Sequence, residues 1–464
     1  MMTDMGNKYL GIDLGTSSIK LLLKEVNGKT VTVKKKYESP APIGWLDALK
    51  SAVWELKSQI DTAEISAIGL SSQVGSYLTD TGEVLSWNDN IGKEELCEIK
   101  GRFSRETFLS ELDMDHPDLI SYPLPRFLYI KRHFPNCKKV IMPKELIAGE
   151  LTDKISSDVF SWRGLAHTKN GKYSQKLLDS LGIDFELPPL FNPTDKIGCV
   201  TEFAAQKYGL KEGTPVFAGC NDFFAGLLGM GVLENGSFFE LSGTSEHIGS
   251  ISDSISKSSL ISGRFFENFV TYGGTKASGV SCSFAMDNFG LNGVTASEVL
   301  SSPPIFLPYL TGERAPIYDE NARGVFFGIN GKTDSKAMAY SVLEGVVFSL
   351  FDIAQNLDTN GSTRLITGGG SAQDSVMAKL KAELWGVEIA VCEENDTSAL
   401  GAAMLAMVGN GEYASLSDAI EKTVCYKTIA KPNGEYKEIL LKRFEIYKNL
   451  YKNLKQSFDA FSAL

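Results

Sequence analysis

Residues 9–23, YLGIDLGTSSIKLLL, decide the fold: an apolar run delivers an acid, a glycine and hydroxyl residues, and then apolar residues resume. Leu10 and Ile12 lead to Asp13, Gly15 permits a tight turn, and Thr16, Ser17 and Ser18 precede a second strand from Ile19 to Leu23. Such a hairpin offers backbone amides and hydroxyls to a phosphate chain. Residues 237–251, SFFELSGTSEHIGSI, repeat the order of strand, Gly-Thr-Ser and strand. The repeat predicts two structurally similar halves facing one bound phosphate chain. When Gly15-Thr16-Ser17 is laid on Gly243-Thr244-Ser245, Asp13 falls on Leu241, so only the first hairpin brings a carboxylate.

The 464 residues exceed the size at which one core keeps growing, so two domains are expected. With 43% hydrophobic and 22% charged residues, the composition is that of an ordinary globular protein. A net charge of -11 argues against a broad nucleic-acid footprint while leaving room for a local basic cleft. The seven cysteines are scattered without C-x-x-C spacing, which fits reduced thiols, and the four histidines are too far apart in sequence for a zinc motif. The N-terminal MMTDMGNK has neither a basic leader nor an apolar signal core, and no apolar run approaches the about 20 residues that span a bilayer. A cytoplasmic protein with no membrane or nucleic-acid partner is expected.

Further along, Val31 to Lys36 alternates as a third strand, and apolar residues at Leu46, Leu49, Val53, Leu56 and Ile60 have the spacing of an amphipathic helix. A strand from Ile65 to Leu70 runs into Ser71-Ser72-Gln73-Val74-Gly75-Ser76, and a hairpin turns at Asp80-Thr81-Gly82. Ser86-Trp87-Asn88-Asp89-Asn90 mixes an aromatic plate with amides and a carboxylate, as a polyhydroxylated ligand requires; it also reads as a capped loop. Residues 93–132 read as mainly helical, with Pro117, Pro123 and Pro125 as breaks. Trp162, Arg163 and His167 could line a cleft or serve as structural residues.

Pro215 to Gly219 is a short apolar strand, followed by Cys220-Asn221-Asp222 and a small-residue helix. At that strand-to-helix turn the helix end would favour an ionised Asp222, able to accept a proton; the alternative is a helix cap. Cys220 has no basic partner visible and reads as core. Residues 307–328, LPYLTGERAPIYDENARGVFFG, form a long charged loop, and Arg364 to Thr367 is a strand ending in Gly368-Gly369-Gly370-Ser371 before a helix. Asn395-Asp396-Thr397 caps the helix SALGAAMLAMVG, and Leu440, Phe444, Tyr447, Tyr451, Leu454 and Phe458 mark a C-terminal helix that folds back onto the second domain.

Taken in order, DLGTSSIK, GCNDFFAGLLGMG, ELSGTSEHIG, the GERAP and NARG loop, TGGGSAQD and SALGAAMLA resemble the FGGY carbohydrate kinases of the actin-like ATPase superfamily. The resemblance implies an α/β protein of two ribonuclease-H-like domains, 1–233 for sugar and 234–464 for nucleotide, hinged between Met230 and Ser237. ATP and a sugar or polyol would share the cleft, whose closure excludes water. It implies that Asp13 organises Mg2+ through water and that Gly15, Thr16, Ser17 and Lys20 serve the terminal phosphates. Gly243 and Thr244 would approach from the other domain, Gly369, Gly370 and Ser371 would lie near the inner phosphates and nucleoside, and Asp374 or Ser375 near the adenosine. Asp222 would be the catalytic base, with Gln73, Val74, Gly75, Trp87, Asp89 and Asn221 around the sugar; a homodimer is compatible.

Xylulose-kinase-like members carry Gln-Met-His-Gly where this chain has Gln73-Val74-Gly75-Ser76, and Trp-Asn-Asp-x-Arg where it has Trp87-Asn88-Asp89-Asn90-Ile91. Phe223 stands where that subgroup is commonly polar, and Glu246 is similar to some deoxy-sugar members. The expected activity is transfer of the γ-phosphate of ATP to a hydroxyl of a ketopentose such as xylulose. The alternatives are gluconate, a deoxy-ketose or another polyol as acceptor, or a non-catalytic ATP-gated interaction protein of the actin type.

Overall fold

The opening run forms two antiparallel strands, Lys8–Leu14 and Ser18–Glu25, in which Asp13 faces Lys20 across the ladder. The structure is a computed structural model that describes every residue except 1–5, 116–118, 243–245, 360 and 370–373, with Ser242 described by its backbone alone. Thr30–Lys36 adds a third antiparallel strand, while Ile65–Ser72 and Pro215–Asn221 extend the sheet on the other side as parallel neighbours. Lys196–Cys199 completes six strands.

Alternate strand residues point to opposite faces, and here both faces are apolar. Leu10, Ile12, Leu21, Leu23, Ile68 and Val216 share a core with the inner face of the helix Pro42–Lys57. Tyr9, Leu22, Ala67 and Phe217 share another with the helix Thr397–Gly409. Burial on both faces is why an unbroken Leu21-Leu22-Leu23 stands in a strand where a half-exposed one would alternate.

The chain divides into two units. Met1–Leu233, Gly263–Phe266 and Asp396–Val424 make the first; Glu234–Ser262, Glu267–Asn395 and Cys425–Leu464 make the second. The expected domains were two continuous runs, whereas residues 396–424 return to the first unit. The physical reason is the small-residue helix Thr397–Gly409. A Cβ on Gly401 would lie 1.9 Å from the carbonyl of Ala225, and one on Gly229 would lie 1.9 Å from that of Thr397. Two glycines thus let this helix and the helix Asp222–Gly229 touch backbone to backbone.

In the second unit Phe238–Ser242 and Glu246–Ser252 pair antiparallel, Asn268–Thr275 joins the latter, and Arg364–Gly369 and Glu388–Cys392 follow in parallel on the other side. These five strands repeat the order and directions of the first sheet, and Tyr426–Ala430 adds an antiparallel edge strand beside Glu388–Cys392. The helix Ser335–Ala354 is long and apolar enough to cross a membrane, yet 89% of its apolar window is buried as core. The C-terminal helix Lys437–Ser462 packs Leu440, Phe444, Tyr447 and Phe458 into that core, as its stripe predicts. Pro123 and Pro125, expected as breaks, instead begin the helix Pro123–His133, where a missing N–H breaks no intrahelical bond.

Candidate active site

The strand Pro215–Asn221 leaves its register with Ile65–Ser72 between Phe217 and Cys220. Gly219 sits there at φ +63°, and a Cβ would come within 1.6 Å of the Leu70 carbonyl oxygen. Only glycine permits this bulge, which turns the strand end into the helix Asp222–Gly229. The cap of that helix is Asn221: its Oδ1 accepts from Phe224 N at 2.9 Å and its Nδ2 donates to the Phe160 carbonyl at 3.0 Å. Asp222, one residue on, is released from capping. Asn221, expected around the sugar, is buried with its amide engaged with the backbone.

Asp222 Oδ1 accepts from Phe223 N at 2.9 Å. Burial pushes its carboxyl up to about 7 and the neighbouring charge of Asp13 adds to the rise, against Phe223 N–H and Lys20. The expectation that the helix end would favour the ionised form is therefore corrected: desolvation and a like charge outweigh it. A carboxyl titrating near neutrality is matched to taking a proton.

Asp13, next to last in the opening strand, is buried, with Ser71 Oγ donating to its Oδ1 at 2.9 Å. Burial raises its pKa, while Lys20 and Ser71 lower it. Lys20 lies 3.1 Å from Asp396 Oδ1. Burial pulls Lys20 down, but Asp13 and Asp396, aided by Asp222, leave it above its ordinary value. Lys20 thus pairs directly with Asp396 and is held charged by Asp13 and Asp222 as well. Beside it Thr16 and Ser17 are exposed, and Gly15 N closes the turn on Ser18 O at 3.0 Å.

The candidate sugar loop reaches this hairpin. Trp87 Nε1 donates to Thr16 Oγ1 at 3.0 Å, and Trp87 N donates to Ser76 Oγ at 3.1 Å. Asp89 Oδ2 accepts from Ser86 N at 2.6 Å, which realises the capped-loop reading for that side chain. Arg126 Nη2 holds the loop from behind, donating to the carbonyls of Ser86 at 3.0 Å and Asp89 at 2.9 Å. Gln73 is buried with its N–H on Leu14 O, Val74 is half-buried, and Gly75 has φ +83° close against Ser121.

In the second unit Gly369 ends its strand at φ +95° and Asp374 caps the helix Ser375–Trp385 through Met377 N at 2.8 Å. Gly243, Thr244, Gly370 and Ser371 lie outside the described residues. Glu313 of the GERAP segment is buried and accepts from Thr275 Oγ1, Lys276 N, Arg314 N and Ser349 Oγ, so this carboxylate pins the long loop. Glu246 is buried with Glu240 and Lys381. Cys220 is core, its thiol pushed well up by burial. Sequence reading missed Ser71 as a partner of Asp13, Arg126, and the ion pair that Asp396 makes from the helix N-cap it was expected to occupy. A polar residue ending a buried strand was the available signal for Ser71; nothing local marks Arg126.

Two units of one strand order, the first carrying an acidic glycine-hydroxyl hairpin beside a carboxylate held ready for a proton, define a phosphotransferase of the actin-like ATPase fold. Residues 8–229 match the N-terminal domain and residues 280–409 the C-terminal domain of the FGGY family of carbohydrate kinases. The chain belongs to that family and is an ATP-dependent sugar kinase. It is 30% identical to the xylulose kinase of Lactococcus lactis, over 96% of each chain. Among solved structures it resembles ligand-bound xylulose kinase from Lactobacillus acidophilus (TM-score 0.87, 28% identity, 98% of this chain and 99% of that one). Gluconate kinase from the same organism is equally similar (TM-score 0.86, 28% identity, 97% and 99%).

Proposed function

We propose that the protein transfers the γ-phosphate of ATP to a hydroxyl of a ketopentose, with xylulose as the leading acceptor. The observation that carries the chemistry is Asp222, a carboxyl titrating near neutrality at the first turn of a helix whose cap is another residue. It orients the acceptor hydroxyl and takes its proton as the bond to phosphorus forms. Phosphoryl transfer through a loose transition state demands positioning and charge neutralisation more than a strong base. Lys20 and the amides and hydroxyls of Thr16 and Ser17 face the terminal phosphates, on the turn that Gly15 closes. Asp13 would hold Mg2+ through water, and the metal when bound neutralises charge on the phosphates. Gly369 and Asp374 serve the inner phosphates and nucleoside; Gly243, Thr244, Gly370 and Ser371 keep the same assignment by resemblance.

The names of the similar proteins support xylulose. A second reading, gluconate, is favoured by the equal likeness to a gluconate kinase and by the residues that replace Gln-Met-His-Gly and Trp-Asn-Asp-x-Arg. Trp87, Asp89 and the turn at Gln73 to Gly75 form the acceptor side in either case. ADP release coupled to NADH oxidation, measured with a panel of ketopentoses, deoxy-ketoses, polyols and gluconate, decides. The expected result is the highest kcat/KM with xylulose. Preference for gluconate supports the second reading, and no turnover with any member refutes both.

A further inference from the structure

The bulge that carries Asp222 leaves the Ala218 carbonyl out of the ladder with the neighbouring strand. Its partner is a buried ammonium: Lys144 Nζ donates to Ala218 O at 2.8 Å. Lys144 is 2% exposed and a charge so placed requires a counter-charge, which Asp158, 0% exposed, supplies at 2.6 Å. The other oxygen of Asp158 accepts from Phe160 N at 2.8 Å and Ser161 N at 2.9 Å. That turn presents the Phe160 carbonyl to Asn221 Nδ2, and Asn221 Oδ1 caps the Asp222 helix. One ion pair therefore ties down both ends of residues 218–224, before the bulge through Ala218 and after it through Phe160 and Asn221.

The same two segments form a parallel network one residue along. Glu145, next to Lys144, accepts from Ser157 Oγ and, at 3.0 Å, from Trp162 Nε1. Arg163 then lies over the Phe224 ring, 4.8 Å from its centroid. The Trp162-Arg163 segment is thus joined to the support of the Asp222 turn.

We propose that Lys144 and Asp158 are positioning residues for Asp222, holding its carboxylate in line with the acceptor hydroxyl while touching no substrate themselves. This rests on the reading of Asp222 as the base. Displacement of a reacting group by about 1 Å costs roughly 100-fold in rate, the scale expected here.

The test is the charge-neutral pair Lys144→Met with Asp158→Asn, which avoids an uncompensated buried charge and keeps an acceptor for Phe160 N and Ser161 N. The expected result is a folded protein, by circular dichroism and a cooperative melt, with kcat down about 100-fold, sugar KM within about threefold of wild type and a displaced acid limb in the kcat pH profile. A folded double variant with wild-type kcat and pH profile overturns the proposal. If the double variant does not fold, Asn221→Ser decides, since serine keeps the helix cap but cuts the bond to Phe160. An unchanged kcat there overturns the proposal, and a loss of about tenfold at constant sugar KM supports it. Asp222→Asn runs alongside: near-normal turnover in it refutes the base reading, whereas an inactive Asp222→Asn beside an unimpaired pair variant refutes the positioning role alone.

Discussion

The strand pairs that open the two sheets run in the same order and direction, yet their charges do opposite work. In the first unit Asp13, Lys20 and Asp396 gather beside exposed Thr16 and Ser17, with Lys20 and Asp396 each partly open to solvent. In the second, Glu240 and Glu246 flank the hairpin and close on Lys381 from helix Ser375–Trp385, with all three side chains at most 3% exposed. Glu240 Oε2 and both oxygens of Glu246 have no hydrogen-bond donor among the described residues. Burial pushes Glu240 well above the carboxylate range, while at Glu246 burial is the largest influence but Lys381 and the neighbouring groups together outweigh it and hold the value low. The repeat of a fold repeats its apolar pattern; it does not repeat the use made of its charges.

The largest effect should come from the sealed side. Lys381→Met leaves two carboxyls buried without their ammonium and should cost about 3–5 kcal/mol of stability, read from urea unfolding. Loss of activity with unchanged stability would make the triad a ligand site and erase the contrast. On the open side Asp13→Ala should lower the rate and the apparent Mg2+ affinity by about 10–100-fold, in titrations of rate against Mg2+, as for groups that hold a metal through its water shell. An unaltered Mg2+ dependence would remove Asp13 from the metal assignment. The smallest effect belongs to Trp87→Phe, which loses the indole bond to Thr16. A net hydrogen bond of about 1 kcal/mol corresponds to roughly fivefold in kcat/KM. A far greater loss would mean that Trp87 meets the acceptor directly.

The two sheets were legible because Asp13-x-Gly-Thr-Ser and Gly243-Thr244-Ser245 sit between runs that are apolar on both faces. Asp222 was legible as a residue, but its protonation was not: proximity to Asp13 across a parallel strand is a tertiary fact, and the helix end alone pointed the other way. The return of residues 396–424 to the first unit was hidden because small residues advertise close packing without naming the partner. Lys144 and Asp158 were invisible for a similar reason. A lysine after Pro143 at a helix start reads as solvated, and only the bulge at Gly219 creates the carbonyl it must meet.

The central claim is that Asp222 accepts the proton of the acceptor hydroxyl. Its most direct measurement is kcat/KM for the sugar against pH, at saturating ATP. The carboxyl works when ionised, and its pKa is raised to about 7, so activity should be full above that value and lost as pH falls through it. The expected result is an acid limb falling about tenfold per pH unit below about 7, absent from the residual rate of Asp222→Asn. A wild-type profile flat from about pH 5.5 to 8.5 would contradict the assignment.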